Sequence, residues 1–157
     1  MKIQLICVGK TERPYLKEGE AEYIKRLKHY CNFEKIEIPE LKNAKKLRED
    51  QIKAEEGKLI LAKVDPSAQL ILLDENGKSY SSVGFSKYLQ KKFNQGGKSL
   101  VFVVGGAYGF SEEVYARCNG KISLSEMTFS HQMVRLFFIE QVYRALTILK
   151  GEPYHHQ

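Results

Sequence analysis

Residues 130–149 constrain the fold most, because they read as a helix too apolar to leave in water on any side. Ser130 is a residue type that caps helix starts, and Val134, Phe138, Val142, Ala145 and Leu149 recur behind it at helical spacing. Met133, Leu136, Phe137, Ile139 and Leu146 fill the other faces. One sheet covers one stripe of a helix, so this helix must lie in a deep core or share its surface with a second subunit. Set into that apolar surface are Arg135, Glu140 and Arg144, and buried charge is costly unless paired. Glu140 and Arg144 have the i,i+4 spacing of an ion pair. Two readings stay open: ion pairs along an exposed edge, or polar groups gathered at a buried seam that holds an active site.

Upstream, strand and helix patterns alternate. Residues 2–8 alternate and then run apolar up to Gly9, which reads as a first strand. Pro14 opens a helix through Leu27, residues 33–38 form a second strand that stops at Pro39, and residues 41–50 read as a charged, mobile connector. A helix with Ile52, Leu59, Ile60 and Ala62 closes near Asp65-Pro66. The short, continuously apolar runs at 69–74 and 99–104 suit central parallel strands covered on both faces. Between them Asn76-Gly77 signals a turn, Ser81 or Ser82 a helix start, and Gly96-Gly97 its end. Ser111 caps a short helix with Glu112 and Glu113 in its first turn, and residues 121–125 make a last short strand. The expected architecture is a single α/β domain over residues 1–157, a mostly parallel sheet with helices on both faces.

Composition narrows the setting. At 157 residues and 43% apolar content the chain can bury a core without disulfides. Its three cysteines are odd in number and lack metal-ligand spacing, so they read as reduced thiols in a cytoplasmic protein, with no metal expected. The opening apolar run is too short for a signal peptide, and no segment is long enough to span a membrane. Net charge is +6, and fifteen of the 25 basic residues against eleven of the 19 acidic ones lie in residues 1–63. That surplus is a mild pointer to a polyanionic partner.

Three features could carry chemistry. The glycines of Gly105-Gly106-Ala107-Tyr108-Gly109 follow a buried strand, where backbone can approach a ligand at the carboxyl end of a sheet. The spacing matches neither the dinucleotide fingerprint nor a phosphate loop, and a tight turn would explain it equally well. If the strands are neighbours, Leu73, Gly105 and the loop Leu124, Ser125, Glu126, Met127, Thr128 and Phe129 would converge on one crevice suited to a flat base with an apolar tail. His131 just beyond could act as a ligand or base, although a single histidine at a helix start is more often structural. Tyr154-His155-His156 lies near the terminus, where disorder is the default, yet a phenol beside an imidazole could stack on a base or manage a proton.

Taken together, Val103 to Gly109, Leu124 to Arg135, Glu140 to Ala145 and Pro153-Tyr154-His155 resemble the ribosomal RNA large-subunit methyltransferase H family, small members of the SPOUT superfamily. The opening residues through Lys10 and the helix around Tyr23 also fit, so the resemblance covers essentially the whole chain. It implies a homodimer with a C-terminal trefoil knot, a rare exception to unknotted connectivity. It further implies S-adenosylmethionine as methyl donor and N3-methylpseudouridine in large-subunit (23S) ribosomal RNA as product. By matching motifs, the donor would contact Leu73, Gly105 and residues 124–129, while Arg144, Tyr154 and His155 would face RNA and the methyl group. One position departs from the pattern: a basic residue commonly follows the Tyr-His pair, and here His156 does. Any phosphate contact there would rest on an imidazole, which carries little charge at neutral pH.

Methyl transfer is an in-line displacement, so the protein's main contribution is alignment. The acceptor nitrogen must also lose its proton, with His155, Tyr154 or water as candidates. With every residue used by the catalytic domain, substrate choice would rest on the dimer's own surface and on the assembled ribosome, naked RNA being a poor substrate. The rival reading is a non-catalytic α/β module that binds RNA or a nucleotide.

Overall fold

The computed structural model describes residues 2–156; Met1 at the head of the opening run and Gln157 at the end of the tail lie outside the described residues. Five strands, β1 (Lys2–Val8), β2 (Asn32–Ile38), β3 (Gln69–Ser79), β4 (Ser99–Val104) and β5 (Gly120–Ser123), form one sheet in the order β2-β1-β4-β3-β5. Every neighbouring pair is parallel. The helices are α1 (Pro14–Leu27), α2 (Glu49–Ala62), α3 (Ser82–Asn94), α4 (Glu112–Arg117) and α5 (Met133–Leu149).

Side chains alternate across the sheet as the strand period requires. Ile3, Leu5 and Cys7 of β1 and Leu100, Phe102 and Val104 of β4 face one core with Leu27 of α1, Phe85 and Leu89 of α3, and Phe138, Ile139 and Val142 of α5. Ile6, Leu70, Leu72, Val101 and Val103 face a second core with Ile60 of α2 and Val114 of α4. Helices therefore cover both faces. The sheet covers α5 on one side, and α1 and α3 flank it, leaving Met133 and Phe137 as its exposed large apolar residues at 41% and 40%. One chain thus supplies most of the cover that the helix demanded.

Four local expectations change. β3 does not stop at residue 74: it bulges through Asp74–Gly77, not a simple turn, and resumes where Lys78 pairs with Ile122, the residue Leu73 also pairs with. The connector at 41–50 carries a short 3₁₀ turn, Ala44–Lys46, and α2 already starts at Glu49, the Gln51 side chain accepting the Arg48 N–H. β5 ends at Ser123, two residues early, which frees Leu124 and Ser125 for the following loop. α5 begins at Met133, but Ser130 still serves its start: the hydroxyl accepts the Met133 N–H at 3.1 Å and the carbonyl the Val134 N–H at 3.0 Å. Ser81 and Ser111 cap α3 and α4 as expected.

Candidate functional site

β4, β3 and β5 lie side by side, so the β3 bulge after Leu73 meets the segments leaving the carboxyl ends of β4 and β5. They line a crevice of about 570 Å³ that includes Leu73, Gly105 and each of Leu124, Ser125, Glu126, Met127, Thr128 and Phe129. That volume lies in the ordinary range for a small-molecule site. Its charged lining is mostly acidic, Asp74, Glu75 and Glu126 against Lys53, which suits a cationic ligand and opposes a polyphosphate. His131 and Val134 close one side.

The loop of residues 105–109 is both a tight turn and a crevice wall. Gly109 takes φ +85° and its N–H bonds to the Gly106 carbonyl at 3.2 Å, a conformation glycine adopts without strain. A Cβ on Gly105 would meet the Phe110 ring at 3.1 Å, and one on Gly106 the Glu56 carboxylate at 2.6 Å. Both positions are thus crowded by the protein itself. The opposite loop is braced internally: Ser123 Oγ donates to the Ser125 carbonyl at 2.9 Å, and Ser125 Oγ accepts the Met127 N–H at 3.0 Å. Phe129 leans on Phe137, with ring centroids 5.1 Å apart, and separates the crevice from an apolar recess of about 230 Å³ beside Tyr80, Phe85 and Gln141.

Arg144, Tyr154 and His155 form a separate cluster on the tail. Pro153–His155 makes a 3₁₀ turn that folds back on α5 and α1. Glu140 Oε1 accepts Arg144 Nη2 at 2.7 Å and the Tyr154 hydroxyl at 2.8 Å, and Arg144 Nη1 lies 3.0 Å from His155 Nδ1. The Tyr154 hydroxyl is also 3.2 Å from that of Tyr23. Burial, with the Tyr23 and Glu140 contacts, pushes the Tyr154 phenol above its ordinary range. Glu140 Oε2 accepts Gln141 Nε2, whose amide oxygen takes the Ser82 hydroxyl, so the cluster extends to the start of α3. Glu140 was legible as the partner of Arg144; its bond to Tyr154, and the parts played by Tyr23, Gln141 and Asp74, were not. None of Arg144, Tyr154 and His155 is among the residues lining the crevice of its own chain.

Arg135 belongs to neither group. It is 1% exposed and donates to the carbonyls of Val8, Gly9 and His131 and to Thr11 Oγ1, at 2.7–3.2 Å. Behind it Lys35 bonds Glu20 and Glu37, which balances the buried charge. Gln132 repeats the tie, accepting the Glu12 N–H and donating to the Lys10 carbonyl. The segment closing the crevice is therefore strapped to the end of β1. Among the described residues, no group of three histidine, cysteine or acidic side chains could hold a metal.

The fold defines an α/β protein with a crevice of small-molecule size at the carboxyl edge of a parallel sheet. Residues 1–155 match the family described as predicted SPOUT methyltransferase, and the chain belongs to that family of methyltransferase enzymes. It is 60% identical over 157 residues to a Flavobacterium johnsoniae protein and 61% identical over 157 to one from Flavobacterium psychrophilum, all of both chains being covered each time. A Cytophaga hutchinsonii protein is 60% identical over 156 residues, 99% of this chain and 100% of the relative. Each of the three is named ribosomal RNA large subunit methyltransferase H. The resemblance read from the motifs is borne out, and the non-catalytic alternative falls away.

Proposed function

We propose that this enzyme transfers the methyl group of S-adenosylmethionine to N3 of a pseudouridine in large-subunit (23S) ribosomal RNA, on the assembled ribosome, as a cytoplasmic homodimer. Full-length identity of about 60% to proteins of that name carries the reading. The trefoil knot implied by the resemblance belongs to the same proposal. In support, the acidic crevice suits a sulfonium cation, and its backbone turns leave a slot for a flat base. When bound, the donor supplies an electrophilic methyl group on positively charged sulfur. Leu73, Gly105 and residues 124–129, which line the crevice, would hold it, and the straps from Arg135 and Gln132 keep that loop in place.

Arg144, Tyr154 and His155 take the RNA side. Because they lie outside their own chain's crevice, the two halves of the site would meet across two protomers, which favours a dimer joined along α5. The Tyr154 hydroxyl donates a hydrogen bond to Glu140 and keeps its proton, its pKa being raised. A guanidinium can only donate, so His155 Nδ1 accepts from Arg144 and the ring proton sits on Nε2. Neither side chain is then placed to take the N3 proton, and we assign that step to water, with Arg144 and His155 orienting the acceptor base.

The test is a calorimetric titration with S-adenosylmethionine beside tritiated methyl transfer to ribosomes that carry or lack the target pseudouridine. Binding, with transfer to the pseudouridine-bearing ribosomes alone, is expected. Absence of donor binding, or equal labelling of both ribosomes, would overturn the proposal.

A further inference from the structure

We infer that the outward face of α1 around Arg26 is a second contact surface for the RNA substrate, one that takes a single-stranded stretch beside the methylated nucleotide. The inference rests on the proposed RNA substrate. A recess of about 420 Å³ there is lined by Glu22, Lys25, Arg26, His29, Tyr30 and Tyr143. Arg26 sits over aromatic rings, its guanidinium carbon 5.0 Å from the Tyr23 centroid and 5.6 Å from that of Tyr143, and at the border of the recess Lys150 Nζ lies 4.7 Å from the centroid of the lining Tyr30. Flat, positively charged platforms of this kind stack unpaired bases and attract the adjoining phosphates without reading sequence.

Two acids border the surface, and both are engaged. Glu22 lies 3.7 Å from Arg26, with the two side chains 59% and 42% exposed, so water screens the contact and leaves Arg26 available to a phosphate. Glu152 accepts the Tyr30 hydroxyl at 2.5 Å, which fixes that ring. The recess is continuous with the tail cluster: Tyr143 packs edge-on against Tyr154 at 4.8 Å, and Tyr23 shares a hydroxyl contact with it. A strand whose target base is held by Arg144 and His155 would thus run directly onto Tyr143 and Arg26.

Arg26→Ala and Lys25→Ala remove exposed charge without touching the core. Each is expected to raise KM for ribosomes about 10-fold and to lower the salt slope of ribosome binding by about 1, with kcat and donor affinity unchanged. Arg26→Lys, which keeps the charge and loses the flat platform, should fall between. Wild-type KM and salt slope in both alanine variants would overturn the inference. So would a fall in light-scattering mass for Arg26→Glu, which would make the face a contact between copies. If wild-type protein fails to methylate ribosomes, the parent reading fails instead. Fluorescence titration with a single-stranded RNA of about ten nucleotides then decides this surface alone, weaker binding by Arg26→Ala supporting it and equal binding overturning it.

Discussion

Glu140 is the residue on which the tail depends, because one carboxylate oxygen holds both Arg144 and Tyr154. In Glu140→Ala these two partly buried donors lose their acceptor, at a stability loss of about 1–3 kcal/mol. Methyl transfer should fall about 100-fold, the lower scale for a misplaced catalytic group, while donor affinity stays within about twofold. Paired calorimetry and transfer assays check both. Glu37 governs a different response. Partial burial alone would raise its pKa, but the Thr11 N–H at 2.7 Å, Lys35 at 3.0 Å and Arg135 hold it below the ordinary 4.5. A depressed carboxylate stabilises the fold above that ordinary value, and the contribution is lost as pH falls through the folded value. Urea unfolding from about pH 6 to about pH 3 should therefore weaken wild-type protein more steeply than Glu37→Gln, which starts less stable. The Glu140–Arg144 pair was legible because it is local. The partners of Arg135 were not, since Gly9 and Thr11 lie 126 and 124 residues away and only folding brings them near.

At the scale of elements, α5 gave its existence and its apolar faces to sequence reading, but not which side meets what. Phe138 is fully buried against Phe102, with ring centroids 4.8 Å apart, whereas Phe137 one residue earlier is 40% exposed beside Phe129. Phe138→Ala should cost about 3–5 kcal/mol in chemical unfolding, the range for emptying a core aromatic site. Phe137→Ala should cost the single chain under about 1 kcal/mol. If α5 is the dimer seam, the same change lowers the light-scattering mass at low protein concentration; an unaltered mass would place the seam elsewhere. The β3 bulge was hidden for a related reason. Asn76-Gly77 carries a strong local turn signal, and the pairing of Lys78 with Ile122 that continues the strand is non-local. Gly77 sits so close to β5 that a Cβ would meet the Ile122 backbone at 2.6 Å, a demand invisible without the partner strand.

For the whole molecule, the alternating strand and helix patterns were enough to place the chain in the α/β class, while the order β2-β1-β4-β3-β5 came only with the structure. That order makes the crevice, because it sets Leu73, just before the β3 bulge, beside Gly105 and Leu124, which follow β4 and β5. The tail joins this frame from outside the sheet. Residues 154–156 belong to no strand or α-helix, yet Tyr154 is wedged between Tyr143, Tyr23 and Glu140, and His155 meets Arg144. Among the described residues, deleting 154–157 removes no part of the crevice lining and no core residue. It does leave Glu140 without the Tyr154 hydroxyl and Arg144 without the His155 ring. The truncated protein should keep its oligomeric state and bind S-adenosylmethionine nearly as wild type does. Methyl transfer to assembled ribosomes should drop at least ~100-fold, as when one positioned catalytic group is lost. Tritiated transfer, run beside a donor titration and light scattering on the same preparation, separates the outcomes. Full activity would reduce the tail to packing, and loss of donor binding would mean that the crevice and the tail are one unit; the expected result, binding without transfer, assigns the tail to the RNA side of the reaction.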